Sequence, residues 1–363
     1  MGEPRFRFLV ALAAVMAVVT LLVCGLHNLP ISDPDDDVTG PAYVRFPLFL
    51  LGAFLVDVLP RAWLRHHRGS ESFRTSTRAV LRERWTSRQV RFMFVGLVAW
   101  YVTYATFRNL KNAVPFVNSN IGDKALGKLD RVLWLGHDPA QTLHSLFGEG
   151  FAAQVFSLIY VAWIVLIPLA LTWALVWTRN RAVASWFVTA IALDWALGVA
   201  TYFMLPTLGP VYSDPRSFAG LDHTMVTGLQ QSMFDDRTVV LNDPSGHHVL
   251  QSIAAFASLH VGLMVTMCLL LELWGVRRSW RVLGWAFLVA TSLATVYLGW
   301  HFFVDTLGGV VVGALAVWIA AMATGNHDGW WPRLVPDPVA EPEPVVAPRR
   351  PSRTEQSVRT RKP

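Results

Sequence analysis

Eight stretches of the chain are long and apolar enough to cross a bilayer as helices: 7–27, 42–60, 91–109, 151–176, 183–205, 250–273, 281–299 and 302–323. A hydrocarbon core of about 30 Å needs roughly twenty helical residues at 1.5 Å each. The pattern predicts an all-α, polytopic membrane helical bundle of about eight transmembrane helices. Charged residues make up only 15% of the chain, against about 25% in soluble domains. Cys24 and Cys268 both fall inside apolar runs and read as small buried side chains, not a disulfide scaffold or a thiolate zinc site. The first run could serve as a signal peptide. Its length, and an "ALAAV" too near the start to be cleaved, favour a retained span.

The loops carry the topology. Arg5 and Arg7 precede the first run, nine arginines face only Glu71 and Glu83 between 61 and 91, and "WTRNRA" and "WGVRRSWR" follow the fourth and sixth runs. All fall on one side if the chain crosses eight times. The acidic "DPDDD" at 33–37 and the long loops 110–150 and 206–249 fall on the other. The positive-inside rule then makes both termini cytoplasmic and turns the long loops outward. This distribution accounts for the net charge of +6, and no nucleic-acid partner is expected. Three regions follow: 1–90, two spans and an arginine-rich loop; 91–323, a six-helix membrane core; and 324–363, a Pro- and Arg-rich tail expected to be disordered. There is no internal repeat and no glycine-rich phosphate loop.

Ionisable groups inside spans are costly, so their positions carry information. His301 and Asp305 stand four apart at the start of the last run, on one face if the helix begins there. A carboxylate on one imidazole nitrogen raises the basicity of the other, as suits a nucleophile or general base. A packed polar pair joining two helices is the plainer alternative. "AAFASLHVGLMV" places Ser258, a candidate phosphate-binding hydroxyl, and His260 at the same membrane depth. Two imidazoles and a carboxylate form a workable phosphoester machine: His301 attacks phosphorus, Asp305 orients it and His260 protonates the leaving oxygen. The same trio could hold a metal, but phosphoryl attack by histidine needs none. No metal and no cofactor are expected.

Phosphate oxygens require positive donors on that side. "YVTYATFRNLKNAVP" supplies Tyr104, Arg108 and Lys111 as a phosphate clamp, with interfacial snorkelling the alternative for Lys111. In 206–249, Pro206, Gly209 and Pro210 set a turn, and Tyr212 and Arg216 are expected to line the head-group pocket. His223, His247 and His248 receive no role. The 110–150 loop is expected to form an amphipathic or re-entrant helix over the mouth, with Asp130, His137 and His144 as lesser substrate-side candidates. Tyr160 and Asp194 read as helix-packing groups.

"FASLHVG" at 256–262 and "YLGWHFFVDTLGG" at 297–309 resemble the second and third signatures of the type 2 phosphatidic acid phosphatase superfamily. "LPTLGPVY" at 205–212 is similar to an element of the branch containing inositol phosphorylceramide synthase. The resemblance covers roughly residues 100–323. It implies a metal-independent enzyme with His301 as the phosphohistidine nucleophile, Asp305 its partner and His260 the acid/base. Two departures stand out. Ala257 occupies the usual proline position before Ser-Leu-His, and the nearest match to the first signature, Lys124 to Arg131, is followed by Val132. The second departure favours the transferase branch. The expectation is a phosphotransferase passing a head group from a lipid phosphoester donor to a lipid, inositol or water acceptor. Lipid or polyprenyl phosphate phosphatase is the alternative, and a transporter or structural protein the lesser one. Four lysines against 27 arginines suggest a GC-rich bacterial genome, hence a bacterial plasma membrane with the site facing outward.

Overall fold

The computed structural model of the protein describes residues 4–34, 42–69, 72–245 and 249–335. His247, His248 and the tail beyond Val335 lie outside them. Within them run α1 (Arg7–Leu26), α2 (Ala42–Arg68), α3 (Phe73–Arg84), α4 (Ser87–Val117), α5 (Asp123–Leu133), α6 (Pro139–Phe147), α7 (Phe151–Thr172), α8 (Arg181–Met204), α9 (Pro210–Ser213), α10 (Met225–Asn242), α11 (Leu259–Leu273), α12 (Arg278–Tyr297) and α13 (Phe303–Thr324). The fold is an all-α, polytopic helical bundle. Among the described residues α1, α4, α7 with its π-helical continuation to Trp177, α8, α12 and α13 are long and apolar enough to cross a membrane.

Two expected spans take a different form. The stretch 42–60 is the first part of a 27-residue helix whose last turns carry Arg65, His66, His67 and Arg68. The stretch 250–273 is helical only from Leu259, giving 15 residues, about 22 Å. Residues 250–258 run as buried irregular chain, which is tolerated at membrane depth only where protein satisfies the backbone. It does so here: Ala255 N–H donates to Thr207 O (3.0 Å), Ala257 N–H to Thr201 Oγ1 (2.9 Å) and Ser258 N–H to Asp305 O (3.0 Å).

The basic stretch 61–91 is mostly helical. Ser72 caps α3 and Thr86 caps α4 by accepting from Thr75 N–H and Gln89 N–H. α4, expected over 91–109, runs for 31 residues, or about 46 Å. Arg108 and Lys111 therefore sit well inside it.

α8 is buried along most of its length and packs against α4, α11 and α13. Trp186 Nε1 on α8 donates to Val317 O at 3.0 Å. The α11–α13 contact brings backbones together. A Cβ on Gly309 would lie 2.3 Å from Ser258 O, and one on Gly313 2.3 Å from Gly262 O. This is the small-residue packing that lets membrane helices approach closely. It holds His260 on α11 against the start of α13. The tail expected over 324–363 begins instead with order: β1 (His327–Asp328) pairs antiparallel with β2 (Trp331–Pro332), and Trp318 Nε1 donates to Trp330 O. Two exposed tryptophans, Trp330 and Trp331, and the buried Asn326 give this segment contacts that a polar tail lacks.

Candidate active site

The central motif is a helix stop followed by a helix start. α12 ends in a Schellman arrangement, with Gly299 N–H donating to Val296 O (3.1 Å) and Trp300 N–H to Thr295 O (2.9 Å). Gly299 adopts φ +76°, which favours glycine, and a Cβ there would meet the Phe218 ring at 2.7 Å. His301 follows in the linker, its N–H on Thr295 O. It is therefore not on the first turn of the last span, as expected, but two residues ahead of α13. The pairing with Asp305 survives because Asp305 occupies the third helical position and reaches back. Its Oδ2 accepts from Phe302 N–H at 2.9 Å and lies 3.4 Å from His301 Nδ1. Both side chains are buried.

Phe302 cannot cap α13 with its own side chain. The first two helical N–H groups, of Phe303 and Val304, donate instead to the Asp130 carboxylate on α5, at 2.7 and 2.8 Å. At the other end of α5 the Asp123 carboxylate accepts from Leu208 and Gly209 N–H at 2.9 Å each. Burial pushes the Asp130 carboxyl up to about 6, against the stabilising pull of the Val304 and Phe303 amides. Burial likewise raises Asp123. The amphipathic helix expected over the mouth is thus a clip joining the 205–209 turn to the histidine linker.

His260 meets His301 directly, Nδ1 to Nε2 at 2.9 Å. Trp163 fixes the neighbouring backbone, donating Nε1–H to His260 O at 3.1 Å, and its ring lies 4.3 Å from the imidazole. Ser258 has another task. It is fully buried and caps α11 by accepting from Val261 N–H, so it does not line the cavity.

The imidazole pair forms one wall of a cavity of about 220 Å³ that Tyr104, Arg108, Lys111 and Tyr212 also line. Phe107, Tyr160, Trp163, Trp195, Tyr202 and Trp300 make the aromatic part of the remaining wall. Arg108 donates to Ser252 Oγ (2.9 Å) and Tyr104 Oη (3.3 Å). The Lys111 ammonium lies 5.1 Å from the Tyr202 ring centre. Among the described residues Arg108 Nε, Trp195 Nε1 and Trp300 Nε1 are buried donors with no acceptor. Buried donors are normally satisfied, so these fit an oxygen-rich ligand. No group of three metal-ligating side chains is arranged around a cation position among the described residues.

Arg216 does not join the cavity. It is exposed in the short 3₁₀ turn Pro215–Phe218, which turns Phe218 inward against Gly299 and leaves Arg216 on the surface. His144 is a buried structural group whose Nε2 contacts Tyr297 O at 2.8 Å. His137 is exposed. Sequence reasoning missed Ser252, Asp123, Trp195 and Trp300. Only Asp123 left a signal, an acid at the start of an amphipathic helix.

Fold and site define a multi-pass helical membrane protein with a His–His–Asp cluster under a basic, aromatic cavity. The chain belongs to the PAP2 superfamily, whose family model matches residues 124–327, more than half of it. Members are in general phosphatases or phosphotransferases acting on lipid phosphates. No curated protein and no solved structure matches the chain. The matched region contains Asp130, His260, His301 and Asp305 and starts after Arg108 and Lys111.

Proposed function

We propose that the protein moves the phosphoryl group of a lipid phosphoester to an acceptor hydroxyl through a phosphohistidine on His301, at the outer membrane face. The observation that carries this reading is the 2.9 Å contact between His260 Nδ1 and His301 Nε2. It puts a proton donor at the nitrogen that attacks. Asp305 beside Nδ1 favours the tautomer whose lone pair is on Nε2.

The entering phosphate replaces His260 on that lone pair. Nε2 then bonds to phosphorus, the P–O bond to the leaving group breaks, and His260, as imidazolium, gives its proton to the departing oxygen. In the second half the acceptor hydroxyl returns a proton to His260, attacks phosphorus and frees His301. Arg108 and Lys111 offset charge on the phosphate oxygens, and the indole N–H groups donate hydrogen bonds to them. The aromatic walls favour an organic acceptor, a polyol or inositol-bearing lipid, over bulk water. That agrees with the likeness to the inositol phosphorylceramide synthase branch.

The test is incubation of the purified full-length protein with labelled lipid phosphoesters, with and without inositol or glycolipid acceptors, beside His301→Ala. The expected result is a product carrying the transferred group, absent in the variant. Free phosphate as the sole product with every acceptor would leave a phosphatase. Full activity in His301→Ala would overturn the mechanism.

A further inference from the structure

A smaller cavity, of about 190 Å³, adjoins the catalytic one. Leu208, Ile253 and Ala254 line both, so a single layer of three residues stands between the two spaces. The rest of the smaller cavity includes Asn118 and Ser119 just past α4, Thr207, and Arg237 and Leu241 on α10. Ser119 and Leu241 are exposed, so it opens to the surface. The catalytic steps above use none of its polar groups.

The shared wall belongs to the irregular chain 250–258, where consecutive residues each hold an arginine. On the catalytic side Ser252 Oγ accepts from Arg108 at 2.9 Å. Gln251, fully buried, accepts through Oε1 from Arg237 Nη1 at 3.3 Å and from Ile253 N–H at 3.0 Å. Its Nε2–H donates to Lys111 O at 2.7 Å. One short segment thus fixes Arg237 relative to both Arg108 and Lys111. A purely structural arginine would close its fork tightly on its acceptor. The Arg237–Gln251 bond is instead longer than the usual range of about 2.7–3.2 Å, and the side chain lines the cavity. The nearby Asp123 charge acts on Arg237, but that carboxylate accepts from Leu208 and Gly209 N–H. At about 190 Å³ the space falls below the roughly 300–1,000 Å³ of sites for drug-sized ligands. It takes a head group and not a whole lipid.

Given the transfer to a hydroxyl proposed above, on which this assignment rests, we infer that the smaller cavity is the acceptor subsite. Its ligand is a polyol carrying a phosphate, with Arg237 on the phosphate oxygens and Ser119 and Asn118 beside the hydroxyls. Guanidinium forks suit phosphate. The source is either a soluble polyol phosphate or the head group of a phospholipid. A hydroxyl of the bound head group reaches across the shared wall to the phosphohistidine. Its oxygen bonds to phosphorus, the Nε2–P bond breaks with its electron pair returning to His301, and the hydroxyl proton passes to His260.

The binding experiment uses full-length protein in neutral detergent carrying Arg108→Gln and Lys111→Gln, which disables phosphate binding in the catalytic cavity. Thermophoresis follows inositol 1-phosphate, phosphatidylinositol and inositol. The expected result is binding of a phosphorylated probe at least tenfold tighter than of inositol. Binding of inositol 1-phosphate identifies the soluble source, and binding of phosphatidylinositol alone identifies the lipid. Adding Arg237→Gln should weaken binding at least tenfold, the worth of a lost charge-assisted hydrogen bond. Ser119→Trp, at an exposed position that leaves the core untouched, should weaken it likewise by filling the space. In the otherwise unaltered enzyme, Arg237→Gln should raise the acceptor KM at least tenfold, with labelling of His301 by the donor within twofold of wild type. No binding by the parent, inositol bound as tightly as the phosphorylated probes, binding unchanged within twofold in both variants, or an equal loss of donor labelling overturns the subsite. Binding needs no turnover, so a wild type that releases only free phosphate would remove the transfer reading while the binding result still judges the cavity.

Discussion

The Asp130 carboxylate receives the backbone N–H of Val304 at 2.8 Å, so a helix outside the bundle caps the helix that carries Asp305. Phe302 stands where a capping side chain normally would, and Asp130 supplies the acceptor from a distance of more than 170 residues in sequence. Asp130→Ala should leave two half-buried N–H groups without their acceptor and let the His301 linker shift. Activity should fall about tenfold or more with little change in KM, because displacement of a reacting group costs rate steeply. Asp130→Asn, which keeps one carbonyl acceptor, should recover part of the loss. Equal defects in KM and kcat would contradict a positioning role.

The same residue gives a pH signature. Its folded pKa, about 6, is above the ordinary carboxylate value because burial outweighs the two amide donors, with Asp305 and Asp138 adding repulsion. The native state then holds a proton that the unfolded state has released between about pH 4 and 6. The contribution to stability is fully present below pH 4 and is lost as pH rises through 6. Compared with Asp130→Asn, the wild type should lose thermal stability between about pH 4 and 6 and stay level above that. A difference in Tm that stays flat across that window would show that Asp130 is not the titrating group.

Much of this was legible in the chain. Among the described residues, six of the eight apolar runs fall in helices long and apolar enough to cross a membrane. "GWHFFVD" read as one helical face because spacing of four suits a helix, yet the Gly299 stop makes it a linker. Local cues to that stop were present in Gly299 itself. The Asp130 cap and the Ser252 contact to Arg108 were not legible, since both depend on segments far apart in sequence meeting in space. Ser258 misled for the opposite reason: the hydroxyl two residues ahead of His260 is a helix cap.

The two histidines separate by leaving group. His260→Ala should cost roughly 10²- to 10⁴-fold on an alkyl phosphoester, the ordinary worth of a general acid. An aryl phosphate, whose leaving oxygen needs no proton, should recover most of that rate. His301→Ala should be inactive on both. Equal loss on both substrates in His260→Ala would remove the proton-donor assignment.

Arg108 carries an unpartnered Nε inside the cavity and is held in place by Ser252. Arg108→Gln should lower kcat about 10²- to 10³-fold, the usual cost of one preorganised donor to developing charge. Ser252→Ala should produce a milder defect of the same kind, through Arg108 alone. In an Arg108→Gln background Ser252→Ala should therefore add little, and a fully additive double variant would break the link between them.

The glycines test the frame that holds the pair together. A Cβ on Gly313 would sit 2.3 Å from Gly262 O, a backbone atom that cannot rotate away. Gly313→Leu must push α13 off α11, and overpacking of this kind costs about 1–3 kcal/mol. It should also lengthen the His260–His301 contact and so lower activity beyond the stability loss. Gly228 on α10 has nothing within 4 Å of its Cβ position, and Gly228→Ala should be neutral or stabilise by up to about 1 kcal/mol. Thermal unfolding of the two variants beside wild type, with activity measured well below each Tm, distinguishes the cases. Gly313→Leu with wild-type Tm and activity would mean that α11 and α13 are not in backbone contact.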